Sequence, residues 1–213
     1  MNGILGLGHH STMWYLNEIH RQNLTSKGGY ATSPYILINS DFNEINPFLP
    51  NQFDRLIPVV KKHLDHLLEL GCQKILIPNI TIHETIEMIE NREGVSYPII
   101  SPFSILKNLK EKEFIIIGSR YTMNSEYLMS KITANSGQVV HISDKDEIYI
   151  DNYRKRIYKE GYNEKALEEL YSFLDQFSSQ NLCIACTEFS NIADSEKTFN
   201  LPKSQVNQFL QSE

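Results

Sequence analysis

Short apolar runs alternate along this chain with longer segments whose apolar residues recur at helical spacing. The runs at 4–6, 35–39 (YILIN) and 74–77 (KILI) predict strands, and 12–22, 58–70 and 81–91 predict helices. In 58–70, Val60, Leu64, Leu67 and Leu68 share one face, and Gly71 is the stop signal. In 81–91, Ile82, Ile86 and Ile89 keep the same spacing. The order then begins again. Strands are predicted at 114–117 (FIII), 139–142 and 182–185, and helices at 125–133 and 163–177. The last helix turns Leu167, Leu170, Leu174 and Phe177 inward. Alternation of strand and helix is the signature of a parallel sheet with crossover helices.

The pattern also repeats in residue type. GILGLGHHSTMWYLNEI from Gly3 resembles IIIGSRYTMNSEYLMSKI from Ile115, and IPNITIH from Ile77 resembles IACTEFS from Ile184. Two similar α/β domains are therefore expected: 1–97, with 199–213 returning to it, and 98–198. Ligands of open parallel sheets bind beyond the carboxyl ends of the strands. The loops 6–12, 39–45, 78–83, 118–123 and 186–190 are expected to line a cleft between the halves.

Composition narrows the range of partners. The 213 residues are 41% hydrophobic and 22% charged, which fits an ordinary globular chain. The net charge of −6 argues against nucleic acid or an anionic membrane as the main partner, although Arg154, Lys155 and Arg156 form a local basic cluster. No apolar run approaches a membrane span, and MNGILGLGHHSTMW lacks the basic start of a signal peptide. Three cysteines give no disulfide framework, so a reducing cytoplasm is expected.

Cys183 and Cys186 have CxxC spacing. On a strand, residues three apart point to opposite faces, which disfavours redox pairing or shared zinc ligation. Cys183 reads as core. Cys186 stands at a strand end, where a following helix would favour its thiolate over a free thiol's usual value of ~8.5. A purely structural cysteine is the alternative. GLG at 6–8 lacks the third glycine of a dinucleotide loop, with Ser11 in its place. His63 and His66 lie on the polar side of a Leu-rich helix and read as solvated.

ILG near the N-terminus, NSDFNEI at 39–45, PNITIH at 78–83, GSRYTM at 118–123 and ACTE at 185–188 together resemble the aspartate/glutamate racemase superfamily. The likeness is greatest to its broad-specificity bacterial aspartate/glutamate branch. It runs in register over about residues 3 to 190. It implies two flavodoxin-like halves related by a pseudo-twofold, with the active site between them. It also implies α-proton transfer by two cysteines without cofactor or metal, a small amino acid or carboxylate as ligand, and a dimer. Cys186 matches the second cysteine. Thr81, His83, Thr187 and Glu188 match substrate-positioning residues. Ser119, Arg120, Tyr121, Thr122 and Met123 match the facing wall. Ser11, Thr12 and Asp41 fall in the remaining binding segments.

The chain departs from the family at the first cysteine, where Asn79 stands, followed by Ile80. Asparagine cannot exchange a proton at accessible pH. The glycine-rich N-terminal loop is altered to GLGHHST. The lysine of members selective for acidic substrates is replaced by Tyr149, Ile150 or Asn152 at the plausible registers. The family's C-terminal Asp-His segment is not visible in FNLPKSQVNQFLQSE. Three accounts stay open: His9 or His10 supplies the other base; the reaction uses one base, as in a decarboxylase or isomerase; or the chain binds a carboxylate without turnover.

Overall fold

The computed structural model describes residues 1–107 and 109–211. The chain divides into two compact units, residues 1–101 with the segment from Gln205, and Pro102–Ser204.

In the first unit, β1 (Asn2–Gly6) is followed by α1 (His9–Lys27), β2 (Tyr35–Asn39), α2 (Phe53–Glu69), β3 (Lys74–Leu76) and α3 (Ile82–Glu93). The sheet order is β2-β1-β3, and both pairings are parallel. Neighbouring residues of β1 enter different cores. Ile4 packs with Tyr15, Ile19, Leu76, Ile100, Val206 and Phe209. Leu5 packs with Leu56, Val60, Leu64 and Leu67 of α2 and Ile82, Ile86 and Ile89 of α3. Because both faces are covered, the strand reads as a continuous apolar run and not as an alternation. Each such side chain contributes about 1.5–3 kcal/mol on burial.

Two helices start earlier than the sequence pattern predicts. Gly8 is extended (φ −82°, ψ 139°) and serves as N-cap, so α1 begins at His9. His9, His10 and Ser11 thus form its first turn and not a loop. The helix α2 begins at Phe53, ahead of Pro58, whose missing N–H removes one hydrogen bond within it. Buried Leu56, Val60, Leu64 and Leu67 hold the helix across that gap.

The second unit contains β4 (Glu113–Ile117), α4 (Arg120–Met123), α5 (Glu126–Thr133), β5 (Gln138–Val139), α6 (Asp144–Glu160), α7 (Glu164–Leu174), β6 (Asn181–Ile184) and β7 (Thr198–Asn200). Its parallel sheet has the order β5-β4-β6-β7. The last helix, α8 (Leu201–Leu210), crosses the boundary between the units at Ser204 and Gln205. Residues 199–204 therefore stay with the second unit, contrary to a return from 199. The cause is β7, which pairs with β6 from Leu182↔Thr198 to Ile184↔Asn200. Residues 212 and 213 of the segment expected to return lie outside the described residues.

The strand predicted at 139–142 is shorter than its apolar letters promise. It yields after Val140 to Ser143, the N-cap of α6, whose side chain accepts from the Asp146 N–H. The charged helix α6 leaves only a faint apolar pattern, with Ile150, Tyr153 and Ile157 buried beside Glu147 and Asp151.

In both units the first strand lies between the second and the third. This is the flavodoxin-like arrangement, with helices as crossovers.

Candidate active site

At the end of β6, the Ala185 N–H still bonds to the Ile117 carbonyl at 2.9 Å, and Cys186 continues extended (φ −146°, ψ 139°). Thr187–Phe189 then makes one turn of 3₁₀ helix. The turn brings the Glu188 carboxylate back over the residue that begins it. The Cys186 S–H donates to Glu188 Oε2 at 2.8 Å, and the Thr187 hydroxyl donates to the same oxygen at 3.1 Å. Glu188 is only 8% exposed. The Tyr162 hydroxyl donates to the backbone carbonyls of Thr187 and Glu188 and pins the turn from the α6–α7 connection. Burial pushes the Tyr162 phenol far up, and the Glu188 charge adds to this, so it stays a donor.

The Cys186 thiol is also raised well above its usual range, first by burial and then by the charge and hydrogen bond of Glu188; nearby Arg154 opposes this. This environment favours the thiol over the thiolate, the opposite of what a helix terminus would do. A single 3₁₀ turn offers little dipole, and a carboxylate 2.8 Å away outweighs it. The Glu188 carboxylate, expected to position substrate, faces Cys186.

Arg154 of α6 extends the cluster. Its Nη1 lies 3.9 Å from Glu188 Oε1, and its Nε donates to Asp151 Oδ1 at 3.0 Å. Asp151 also accepts from Lys155 at 2.7 Å and from the Arg120 backbone N–H at 3.4 Å. Burial pushes the Asp151 carboxyl up, but the hydrogen bonds from Lys155 and Arg154 outweigh it and hold it below its ordinary range. The basic run 154–156 is consequently not an open patch: Arg156 pairs with Glu169 at 2.6 Å. Sequence reading missed Asp151 and Tyr162 and read Arg154 only as part of that run. The spacing Asp151, Arg154, Lys155 is the signal for a helix-face ion cluster.

Beside β6, at the end of β4, Gly118 admits Thr122: a Cβ on Gly118 would lie 3.0 Å from the Thr122 Cβ. Ser119 Oγ accepts from the Thr122 N–H at 3.1 Å and shares a hydrogen with Thr122 Oγ1 at 2.7 Å. Both residues are engaged in capping α4. Arg120 and Tyr121 are exposed, and Arg120 reaches Glu147 at 3.5 Å.

The first unit repeats this packing with different chemistry. A Cβ on Gly6 would lie 2.5 Å from Asn39 Oδ1 and 3.1 Å from Thr12 Cγ2. The Thr12 hydroxyl is buried and has no hydrogen-bond partner among the described residues. No side chain caps α1, and Ser11 Oγ donates to the Gly8 carbonyl at 3.1 Å. His9 and His10 are exposed and meet edge to face at 5.3 Å. Asp41, also exposed, accepts from the Asn43 backbone at 2.9 Å as cap of a short turn.

At the end of β3, Asn79 Oδ1 accepts from the Ile82 N–H at 3.1 Å and so caps the first N–H of α3 from two residues ahead of the N-cap position, Thr81. Ile80 is buried and Thr81 half-buried. His83, expected to position substrate, is buried in the core. It is 4% exposed and lies 3.2 Å from Gln205 Nε2, which donates to the Ile100 carbonyl while Gln205 Oε1 accepts from Tyr15. His63 and His66 line an open surface groove with Ile38, Pro58, Lys61 and Asp65. Among the described residues, no group of three or more His, Cys, Asp or Glu side chains is placed to hold a metal ion, and no helix is long and apolar enough to cross a membrane.

No family model matches the chain, and no curated protein matches it. Solved structures do. An aspartate racemase homologue from Pyrococcus horikoshii OT3 has a TM-score of 0.79 at 15% identity, over 99% of this chain and 98% of that one. An aspartate racemase from Picrophilus torridus has a TM-score of 0.70 at 16% identity, over 99% and 93%. A glutamate racemase from Aquifex pyrophilus has 0.53 at 12% identity, over 99% and 83%. The chain shares its fold with these solved structures.

Proposed function

We propose that this chain, carrying the fold of the aspartate/glutamate racemases, is an enzyme of that superfamily. It transfers a proton at the carbon next to the carboxylate of an amino acid or a related small carboxylate, with Cys186 as acid/base. The carrying observation is the Cys186–Glu188–Arg154 cluster at the carboxyl end of β6, where a thiol and a carboxylate share a hydrogen bond and a guanidinium lies 3.9 Å from the carboxylate. A thiol handles a carbon-bound proton without cofactor when its protonation is tuned by such neighbours. The dimeric state and cytoplasmic setting implied by the family resemblance belong to this proposal.

A one-base reaction is the form of the proposal that the residues support best. Asn79 accepts from the start of α3, His83 is buried in a core network, and Asp41 caps a turn, which supports a reading without a second base among them. Exposed His9 and His10 remain as donors for a two-base racemase. The test is incubation in D₂O with a panel of amino acids and small dicarboxylates, with Cys186→Ala as control. Proton NMR follows the α-proton and chiral chromatography the enantiomer ratio. Exchange with retained configuration supports one base at Cys186. Exchange with racemisation directs attention to His9 and His10. Absence of exchange and turnover across the panel, with compounds still bound, replaces the enzyme by a carboxylate-binding protein.

A further inference from the structure

The thiol and the carboxylate at the end of β6 compete for one proton. Glu188 Oε2 accepts from Cys186 at 2.8 Å and from Thr187 at 3.1 Å, while Oε1 faces Arg154 Nη1 at 3.9 Å. With the Glu188 side chain 10% exposed, water has little access to this carboxylate. Loss of the thiol proton to bulk water would leave two anions within van der Waals contact. Transfer of that proton across the existing hydrogen bond would leave one.

We propose that Glu188 is the proton acceptor of Cys186, so that the thiol ionises by handing its proton to Glu188 Oε2 and not to solvent. The S–H bond breaks, an O–H bond forms on Oε2, and the electron pair stays on sulfur. Net charge is unchanged, and no oxidant, metal or co-reactant is needed. Besides Asp151, Arg154 faces one negative charge of the pair before and after the transfer. The Tyr162 hydroxyl, bonded to the backbone of residues 187 and 188, holds the two groups in register.

For catalysis this rests on the function proposed above. The thiolate takes the α-proton: the C–H bond breaks, an S–H bond forms, and the electron pair is delocalised into the substrate carboxylate. The same S–H then returns a proton to the same face. One face therefore carries both donor and acceptor, and label enters from D₂O through the exchangeable protons of Cys186 and Glu188.

The deciding measurement needs no substrate. Uncharged iodoacetamide alkylates the thiolate, and mass spectrometry of the Cys186 peptide gives the rate against pH. The pair Cys–SH/Glu–COO⁻ and its tautomer Cys–S⁻/Glu–COOH carry the same number of protons, so their ratio does not depend on pH. The expected wild-type profile contains a flat region around neutral pH. In Glu188→Gln the flat region is replaced by a rise of about tenfold per pH unit, as for an isolated thiol.

A wild-type rate that rises about tenfold per pH unit across the whole range, with no plateau, overturns the proposal. That profile decides the case even if Glu188→Gln fails to fold. With a turned-over compound, Glu188→Gln is expected to lose about 10²-fold or more in α-proton exchange. Undiminished exchange in that variant also overturns the proposal. A plateau without exchange on any compound sustains the shared proton and removes the racemase-type reading, so the two failures are distinguishable.

Discussion

The two units solve one structural problem in two ways. In each, a glycine at the end of the first strand makes room for a threonine of the following helix, Gly6 for Thr12 and Gly118 for Thr122. In the second unit the threonine hydroxyl is satisfied at 2.7 Å by Ser119, which also caps the helix. In the first unit the helix has no side-chain cap and the Thr12 hydroxyl has no partner among the described residues. The third strands differ in the opposite sense. Asn79 in the first unit is occupied with capping, whereas Cys186 in the second faces a buried carboxylate. Repetition of a scaffold thus fixes where side chains stand at strand ends and leaves open which of them are committed to structure.

The comparison breaks most sharply at Cys186. Cys186→Ala is expected to reduce α-proton exchange by about 10²–10⁴-fold, while Cys183→Ala changes stability and not the exchange profile. Equal losses of exchange in both would remove the distinction between a working and a core cysteine. Next, Asn79→Ala should cost about 1 kcal/mol of stability through the lost helix cap, measurable by urea titration. An unchanged midpoint would mean that Asn79 is held for some purpose other than capping.

The two threonines give a smaller, signed effect. Thr122→Val removes a satisfied hydroxyl from its partner Ser119 and should destabilise by about 1 kcal/mol. Thr12→Val replaces an unsatisfied buried hydroxyl by a methyl group and should be neutral or stabilising. Destabilisation of similar size in both would show that the first-unit hydroxyl has a partner in solution. The smallest effect is one of pH. The Asp151 carboxyl is held below its unfolded value, so its contribution is complete above about pH 4 and is lost as pH falls through the folded value. Asp151→Asn should flatten the acid limb of the stability curve, and an unaltered limb would mean that Arg154 and Lys155 do not hold this carboxylate.

The strands at the centres of both sheets were legible because both of their faces are buried, which turns them into unbroken apolar runs such as ILG and FIII. The helix α6 was hard to see because most of its length is charged, and the start of α1 because two histidines occupy its first turn. Cys186 was legible as a strand-end residue. Its protonation state was not, because that depends on where the Glu188 side chain turns and on Arg154, far away in sequence. His83 shows the same limit. The pattern placed it near Thr81, but its fate was decided by Gln205, which sequence reading never singled out.

The cap at Asn79 has a consequence for how this chain can change. A thiol at position 79 needs only one substitution, but it removes the oxygen that accepts from the Ile82 N–H. The lost cap would cost about 1 kcal/mol of a total stability of only about 5–15 kcal/mol. The Asn79→Cys variant would meet that penalty whatever its thiol could do. At position 79 the hydrogen bond to α3 and a thiol exclude each other, so the stability of the first unit is itself a barrier to that change of chemistry.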